Sequence, residues 1–373
     1  MDGNKSDTAN LFHTETLMTV LPSLSGQLTE SDTKPIKKAS SKSQSDVLKA
    51  KQSKRKFRST TLPSPLLSIP LDDFASFTAH LRSSKRIFAL VGAGLSVSSG
   101  LATFRGTDRL WRGIEPQNLS DIDVFWKDPV KVWWFFTNRM RNAQEATLNR
   151  GHVALAKLAK EKKGFFVVNQ NIDGQLQKCL RCDKTLTSAG LCQRAGFPGD
   201  QIAQVHGTLF EMKCSKNVPG REDRCSYSTP ASYPINDALT IPEGSDISDA
   251  GVPLPTISRE ELPHCPTCNS LLRPAVVLFG EATPLSVTDS VYNFTSAGSI
   301  DLMLVIGTSA LVLPAAMYIP IARNAGARVA FFNLEECEEE PGRVMPDDWM
   351  FTGNAGETVP ECLKGIVGVV GGS

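Results

Sequence analysis

The chain has 373 residues, is 41% hydrophobic and carries a formal net charge of +1 at pH 7. That length accommodates one large α/β domain, a smaller module and flexible extras, and the near-neutral charge argues against general electrostatic attachment to nucleic acid. No stretch has the length of an apolar membrane span, so no membrane partner is expected.

Residues 1–70 differ in kind from the rest. They are rich in Ser, Thr, Lys and Gln, with eleven Lys or Arg against six Asp or Glu, and they read as a disordered basic extension. Within them KQSKRKFR, residues 51–58, reads either as a nuclear-import or anion-binding patch or as a solvated linker. Asp2, Asp7 and Glu15 count against a mitochondrial transit peptide. Nucleus or cytoplasm is therefore favoured, with the mitochondrion left open.

Ordered structure is expected from Leu71, where Asp72 or Asp73 can cap a helix with Phe74, Phe77 and Leu81 on one face. Residues 86–91 (RIFALV) form a β-branched and aromatic run that ends abruptly in Gly92-Ala93-Gly94, as a buried strand does before a tight turn. A helix opening there would offer amide donors to an anion. The hydride-transfer fingerprint G-x-G-x-x-G is not met, because position 97 is Val97 and the next glycine is Gly100. Alone, the two glycines fit a plain αβ turn equally well.

Further strands read at 164–169 (GFFVVN), 275–279 (AVVLF), 302–306 (LMLVI) and 328–333 (RVAFFN), most flanked by helix-compatible sequence. Near-continuous apolar strands alternating with helices predict a parallel sheet covered on both faces, with ligands at the strands' carboxyl ends. Unusual groups gather at those ends: Gly92-Ala93-Gly94, then Asn169-Gln170-Asn171-Ile172-Asp173, then Gly307-Thr308-Ser309, then Asn333. Singly each is a cap or a turn residue; four such strand ends together point to a nucleotide site. His206 stands where the expected sheet meets the cysteine segment, a place where clefts form. His13, His80, His152 and His264 have no comparable setting and read as packing or surface residues.

The nine cysteines in so large a chain suggest metal more than a disulfide framework. Cys265-Pro-Thr-Cys268 is a C-x-x-C knuckle, and Cys214 with Cys225 can complete a closed four-thiolate zinc site, although ten residues separate that first pair. Cys179 and Cys182 form a competing C-x-x-C.

Taken in order, GAGLSVSSGLATFRG, NQNIDG, QVHGTLF, CPTC followed by LLRPAVVLFGE, VIGTSALVLPAA and FFNLE resemble the sirtuin family of NAD-dependent protein lysine deacylases, over about residues 86–356. The resemblance implies a Rossmann-like doubly wound parallel sheet with a smaller zinc-binding and helical module. A catalytic domain over 71–365 is expected, with NAD-binding parts at about 71–110, 151–205 and 271–365, a helical insert at about 111–150 and a zinc module at about 206–270.

It also implies roles. Gly92, Ala93, Gly94, Ser96, Thr103, Phe104 and Arg105 resemble the loop over the nicotinamide ribose, while Gln170, Asn171 and Asp173 resemble the lining of the ribose and nicotinamide pocket. Gly307, Thr308, Ser309, Asn333 and Ala355 match residues holding the rest of the dinucleotide. His206 matches the general base, with Asn171 beside it. In the family the acyl oxygen attacks the anomeric carbon as nicotinamide departs, and the histidine then activates a ribose hydroxyl, a duty that suits an imidazole. Val277, Phe279, Gly280 and Glu281 resemble the edge to which a substrate peptide adds as a strand.

The segments around Thr103 and Phe279 are most similar to the class removing succinyl, malonyl and glutaryl groups. That class grips the acyl carboxylate with Tyr-x-x-Arg, matched here by Phe136 and Arg139, which share one helix face by spacing. Ser120 falls where the family has a small residue widening the acyl channel. The hydroxyl missing from Phe136 costs about 1.5 kcal/mol, or about tenfold in acyl preference.

Two departures from the family pattern stand out. Residues 175–190 (QLQKCLRCDKTLTSAG) intervene between NIDG and LCQRAG, as a surface excursion or as retained unspliced sequence, and the Cys214 to Cys225 spacing is long. The competing readings are lysine deacetylation (including of histones), mono-ADP-ribosyl transfer and a non-catalytic NAD-sensing module. A nicotinamide dehydrogenase is disfavoured by the missing third glycine.

Overall fold

A computed structural model describes residues 71–104, 110–174, 197–218, 222–334 and 344–371. The basic extension, Arg105, the cysteine pair 179/182 and the intervening segment 175–190 all lie outside the described residues. Among the described residues nine strands follow one another: β1 Ile87–Val91, β2 Phe165–Asn169, β3 Ile202–Gln204, β4 Gly207–Cys214, β5 Ser228–Pro230, β6 Leu272–Val276, β7 Leu302–Ile306, β8 Arg328–Asn333 and β9 Trp349–Thr352. The helices are α1 Leu71–Ser83, α2 Pro116–Leu119, α3 Ile122–Lys127, α4 Pro129–Glu145, α5 Arg150–Glu161, α6 Leu285–Ser296, α7 Tyr318–Asn324 and α8 Ala355–Val367.

Six strands form a parallel sheet in the order β3-β2-β1-β7-β8-β9. β1, β2 and β7 are buried at every residue because both faces are covered. Side chains alternate across β1: Ile87, Ala89 and Val91 join a core with Phe77, Leu155 and Val359 from α1, α5 and α8. Phe88 and Leu90 join the opposite core, with Val291 and Ile319 from α6 and α7. The expected doubly wound architecture is present. A third core unites Trp133 and Phe136 of α4 with Leu209 of β4 and Val276 of β6.

Several local expectations need correction. The run 275–279 was expected as a strand of the parallel sheet, but the strand is β6, four-fifths of it upstream of Val276, and it lies antiparallel to β4 in a small sheet ordered β5-β4-β6. Cys214 pairs in register with Leu272, so the cysteines just upstream tether this apolar run to β4, a long-range tie that periodicity cannot reveal. β3 and β9, with three and four residues, are too short to announce themselves. The helix after Gly92 is the 3-10 run Ala93–Ser99, closed by Gly100 in the left-handed region at φ 81°. Asp72 and Asp73 sit inside the first turn of α1, where their charge complements the helix dipole.

Candidate active site

The sheet runs β1, β2, β3 to one side and β7, β8, β9 to the other, so its switch point lies between β1 and β7. Loops diverging there open a crevice at the strands' carboxyl ends. The two loops are 92–94 and 307–309, and they interlock through backbone. Gly92 N donates to Ile306 O at 2.9 Å and Gly94 N to Gly307 O at 2.8 Å. A Cβ on Gly94 would stand 2.7 Å from the Gly307 Cα, so only glycine permits this approach.

Neighbouring strand ends are stitched to the same crevice. Thr308 Oγ1 donates to Gln170 Oε1 at 2.6 Å, and Thr308 N to Asn333 Oδ1 at 3.1 Å. Asn171, buried, donates through Nδ2 to Gly92 O at 2.9 Å, and its own N–H is held by Asn169 Oδ1 at 3.2 Å. Ser96 Oγ donates to Asp173 Oδ2 at 2.6 Å. Ala355 opens α8 beside the 3-10 run, where Ser98 Oγ meets Asn354 Oδ1 at 2.6 Å. Ser309 is exposed, and Thr103 and Phe104 are half-buried.

His206 joins this group from the turn between β3 and β4. Its Nδ1 lies 2.9 Å from Gln170 O. A carbonyl oxygen only accepts, so Nδ1 carries the proton and Nε2 keeps its lone pair. Burial pulls the imidazole below its ordinary pKa of 6.5, opposed by the hydrogen bond to Gln170. Gly207 follows at φ 73°, and a Cβ there would fall 2.0 Å from Ala275 O, so the residue after the histidine has to be glycine.

The substrate-side residues come together around Phe279. His206 O accepts from Val277 N at 2.9 Å, Ser120 O from Phe279 N at 2.7 Å, and Phe279 O from Ile122 N at 3.1 Å. The Phe104 and Phe279 rings are 6.0 Å apart. The edge expected to receive a peptide is therefore not bare: Phe279 is already bridged to 120–122, and Glu281 N closes a turn onto Leu278 O at 3.0 Å. Beside it lies an open groove of about 260 Å³ lined by Gln117, Asn118, Asp121, Val124 and Phe279. Gly280 is left-handed at φ 89°.

Arg273, fully buried in β6, pairs with Glu281 and donates to Val276 O at 3.0 Å, while Glu281 Oε2 accepts from Leu278 N at 2.9 Å. This clamp fixes the 276–281 turn. Phe136 and Arg139 both sit on α4. Phe136 is 1% exposed with its ring 4.9 Å from that of Phe135, and the half-buried Arg139 lays its guanidinium 5.4 Å from the Phe135 ring. Burial lowers the Arg139 pKa from its usual value.

The four cysteines Cys214, Cys225, Cys265 and Cys268 converge, with all sulfurs within 4.8 Å of one another. Cys214 and Cys268 sulfurs are 3.5 Å apart, and Cys225 and Cys265 sulfurs 3.6 Å. Tetrahedral zinc with Zn–S bonds of about 2.3 Å needs sulfurs about 3.8 Å apart, so this set fits one structural ion with no open position. The long 214–225 spacing is bridged because β4 ends at Cys214 and Cys225 N reaches back to Lys216 O at 3.4 Å.

Asn169, one of the polar strand-end residues expected from the sequence, is fully buried and shapes the turn holding Asn171. Three residues were not anticipated at the site. Asn149 and His152 cap α5 and touch the 3-10 run, with His152 standing where the usual capping box has Glu or Gln. Arg273 was a lone cation in an apolar run, eight residues before an acid, which was its only signal.

An NAD-type dinucleotide crevice at a Rossmann switch point, a poised histidine and a tetra-cysteine module define the class. Residues 92–314 match the sequence profile described as the Sir2 family, and the chain belongs to that family. An NAD-dependent protein deacylase of Candida albicans is 35% identical over 313 residues, covering 78% of this chain and 97% of its own. The NAD-dependent protein deacylase sirtuin-5, mitochondrial, of Danio rerio is 32% identical, covering 81% and 90%. The crystal structure of a Sir2 homolog–NAD complex superposes with a TM-score of 0.58 at 29% identity, covering 78% of this chain and 93% of that one.

Proposed function

We propose that the protein is an NAD-dependent protein lysine deacylase that prefers acidic acyl groups (succinyl, malonyl and glutaryl). The observation that carries the deacylase reading is His206, whose Nδ1 is committed to Gln170 O so that Nε2 is the basic nitrogen, at the junction of the dinucleotide crevice and the 277–281 turn. When bound, NAD supplies an electrophilic anomeric carbon and nicotinamide as leaving group. The close approach of loops 92–94 and 307–309, with Thr308 and Asn333, suits the pyrophosphate and adenosine half. Asn171, Asp173 and Ser96 suit the nicotinamide end, and His206 Nε2 takes the proton of a ribose hydroxyl.

The acidic-acyl preference rests on Arg139. A guanidinium held partly out of water pairs with a carboxylate more strongly than an exposed one, and its fork grips both oxygens. Phe136, which offers no hydroxyl, favours the second reading, acetyl-lysine as substrate. Acylated protein lysines are the partners in either case. Matched succinyl- and acetyl-lysine peptides with NAD, followed by mass spectrometry for released nicotinamide and O-acyl-ADP-ribose, test both levels. Faster desuccinylation supports the acyl preference, faster deacetylation overturns it, and absence of both products from a folded sample overturns the deacylase reading.

A further inference from the structure

The groove beside Phe279 takes no part in the chemistry assigned to the site, and its lining is of two kinds. Val124 of α3 and the half-buried Phe279 make an apolar wall, whereas Gln117 and Asn118 of α2 are exposed amides. Asp121 is the only charge among the described residues that line it. Its Oδ1 caps α3, accepting from Asp123 N at 2.8 Å and from Val124 N at 3.3 Å. Its Oδ2 has no hydrogen bond, and the carboxylate no basic partner, among the described residues.

The groove also lies where a peptide would pass. Phe279 N donates to Ser120 O at 2.7 Å and Ile122 N to Phe279 O at 3.1 Å, so Asp121 is bridged to Phe279 in one short parallel step. Ser120, read as a wall of the acyl channel, and Asp121, on the groove, are consecutive residues. An acyl-lysine entering past Ser120 therefore carries its sequence neighbours across the groove, within a side chain's reach of Asp121. A long basic side chain matches this lining, because its methylene stem covers apolar surface while its charged head stays among polar groups and water. An acidic side chain would meet Asp121 with like charge, and a short one would leave Val124 and Phe279 bare.

We infer that Asp121 is a specificity-determining residue for the substrate peptide: the groove receives a lysine or arginine flanking the acyl-lysine, its stem against Val124 and Phe279 and its cation against the Asp121 carboxylate. The inference rests on the deacylase reading for the identity of the peptide. The groove is open to water, so attraction of Lys and repulsion of Glu together are expected to favour Lys about 3- to 10-fold, less as salt rises.

Acyl-lysine peptides that differ only in carrying Lys, Ala or Glu at one of the three positions on either side test this with the full chain. Both kcat/KM, from nicotinamide release with NAD, and Kd, from anisotropy of labelled peptide, are compared as Lys-to-Glu ratios within one protein, so that differences in basal activity cancel. One position is expected to show the 3- to 10-fold ratio in the unaltered chain. Asp121→Asn removes the charge but keeps the cap, since Asn caps a helix as well as Asp, and is expected to bring that ratio within about twofold of unity. Asn118→Asp adds a second carboxylate to the same lining and is expected to raise it. Ratios near unity at every position, a preference for Glu, or a Lys preference that survives in D121N overturns the inference. If D121N does not fold, N118D and a salt series on the unaltered chain still decide, because a ratio that neither moves overturns it. A Lys preference in Kd without nicotinamide release from any peptide leaves the groove assignment standing and overturns the deacylase reading.

Discussion

His206 Nδ1 and the Gln170 carbonyl oxygen stand 2.9 Å apart, and that one contact decides which imidazole nitrogen is free to act as a base. Gln170 is also held by Thr308 Oγ1 from the neighbouring loop, so His206 and the crevice at the strand ends share a fixed frame.

Activity should follow the neutral form of His206. Burial lowers its pKa, so the acid limb of the kcat/KM profile is expected to inflect below the ordinary 6.5, with rate falling as pH drops through that inflection. His206→Ala should lower kcat/KM by about 10²- to 10⁴-fold while leaving NAD binding measurable. A pH–rate series, with calorimetric NAD titration of the variant, checks both; an acid limb above 6.5 contradicts the burial argument.

Acyl selectivity should respond to α4. Replacing Arg139 with Met is expected to erase the succinyl-over-acetyl preference, and Phe136→Tyr to raise it about tenfold, the equivalent of about 1.4 kcal/mol. Because Phe136 is 1% exposed, its new hydroxyl must find the acyl carboxylate or be buried without a partner. Ratios of kcat/KM for the two acyl peptides, with Tm alongside, separate these outcomes.

The four-thiolate cluster should hold one zinc ion per chain, measurable by elemental mass spectrometry. Cys225→Ser is expected to reduce the bound metal and lower Tm, as is a strong chelator, because the site closes the small sheet onto the 265–268 knuckle. Full zinc occupancy in that variant would place the fourth ligand elsewhere.

Removing Arg273 leaves the Glu281 carboxylate, which is 12% exposed, with Lys213 Nζ at 3.9 Å as a remaining cationic partner. Arg273→Met is expected to destabilise the fold by about 3 kcal/mol, the lower end for breaking a buried pair because Lys213 still faces Glu281, and the double variant R273M/E281L to regain part of that loss, since the two clamp charges are then gone while Lys213 loses its acid. In the double variant the 276–281 turn loses its clamp, so KM for peptide should rise more than KM for NAD. Denaturant titration and steady-state kinetics measure the two effects.

Local sequence determined much of this protein. The runs at 86–91, 302–306 and 328–333 are apolar enough to be strands buried on two faces, and each gives way at its carboxyl end to glycine or a polar residue. The crevice residues at 92–94, 170–173 and 307–309 were therefore legible, as was the C-x-x-C knuckle. What tertiary structure alone decided are the relations set by distant pairing. It placed 272–276 in the small antiparallel sheet, brought Cys225 to Cys265 across forty residues, bridged Phe279 to Ser120, and put His152 beside Ser96. Periodicity reports which face of an element is buried, not what it is buried against, and a hydrogen bond between residues fifty apart leaves no trace in either neighbourhood.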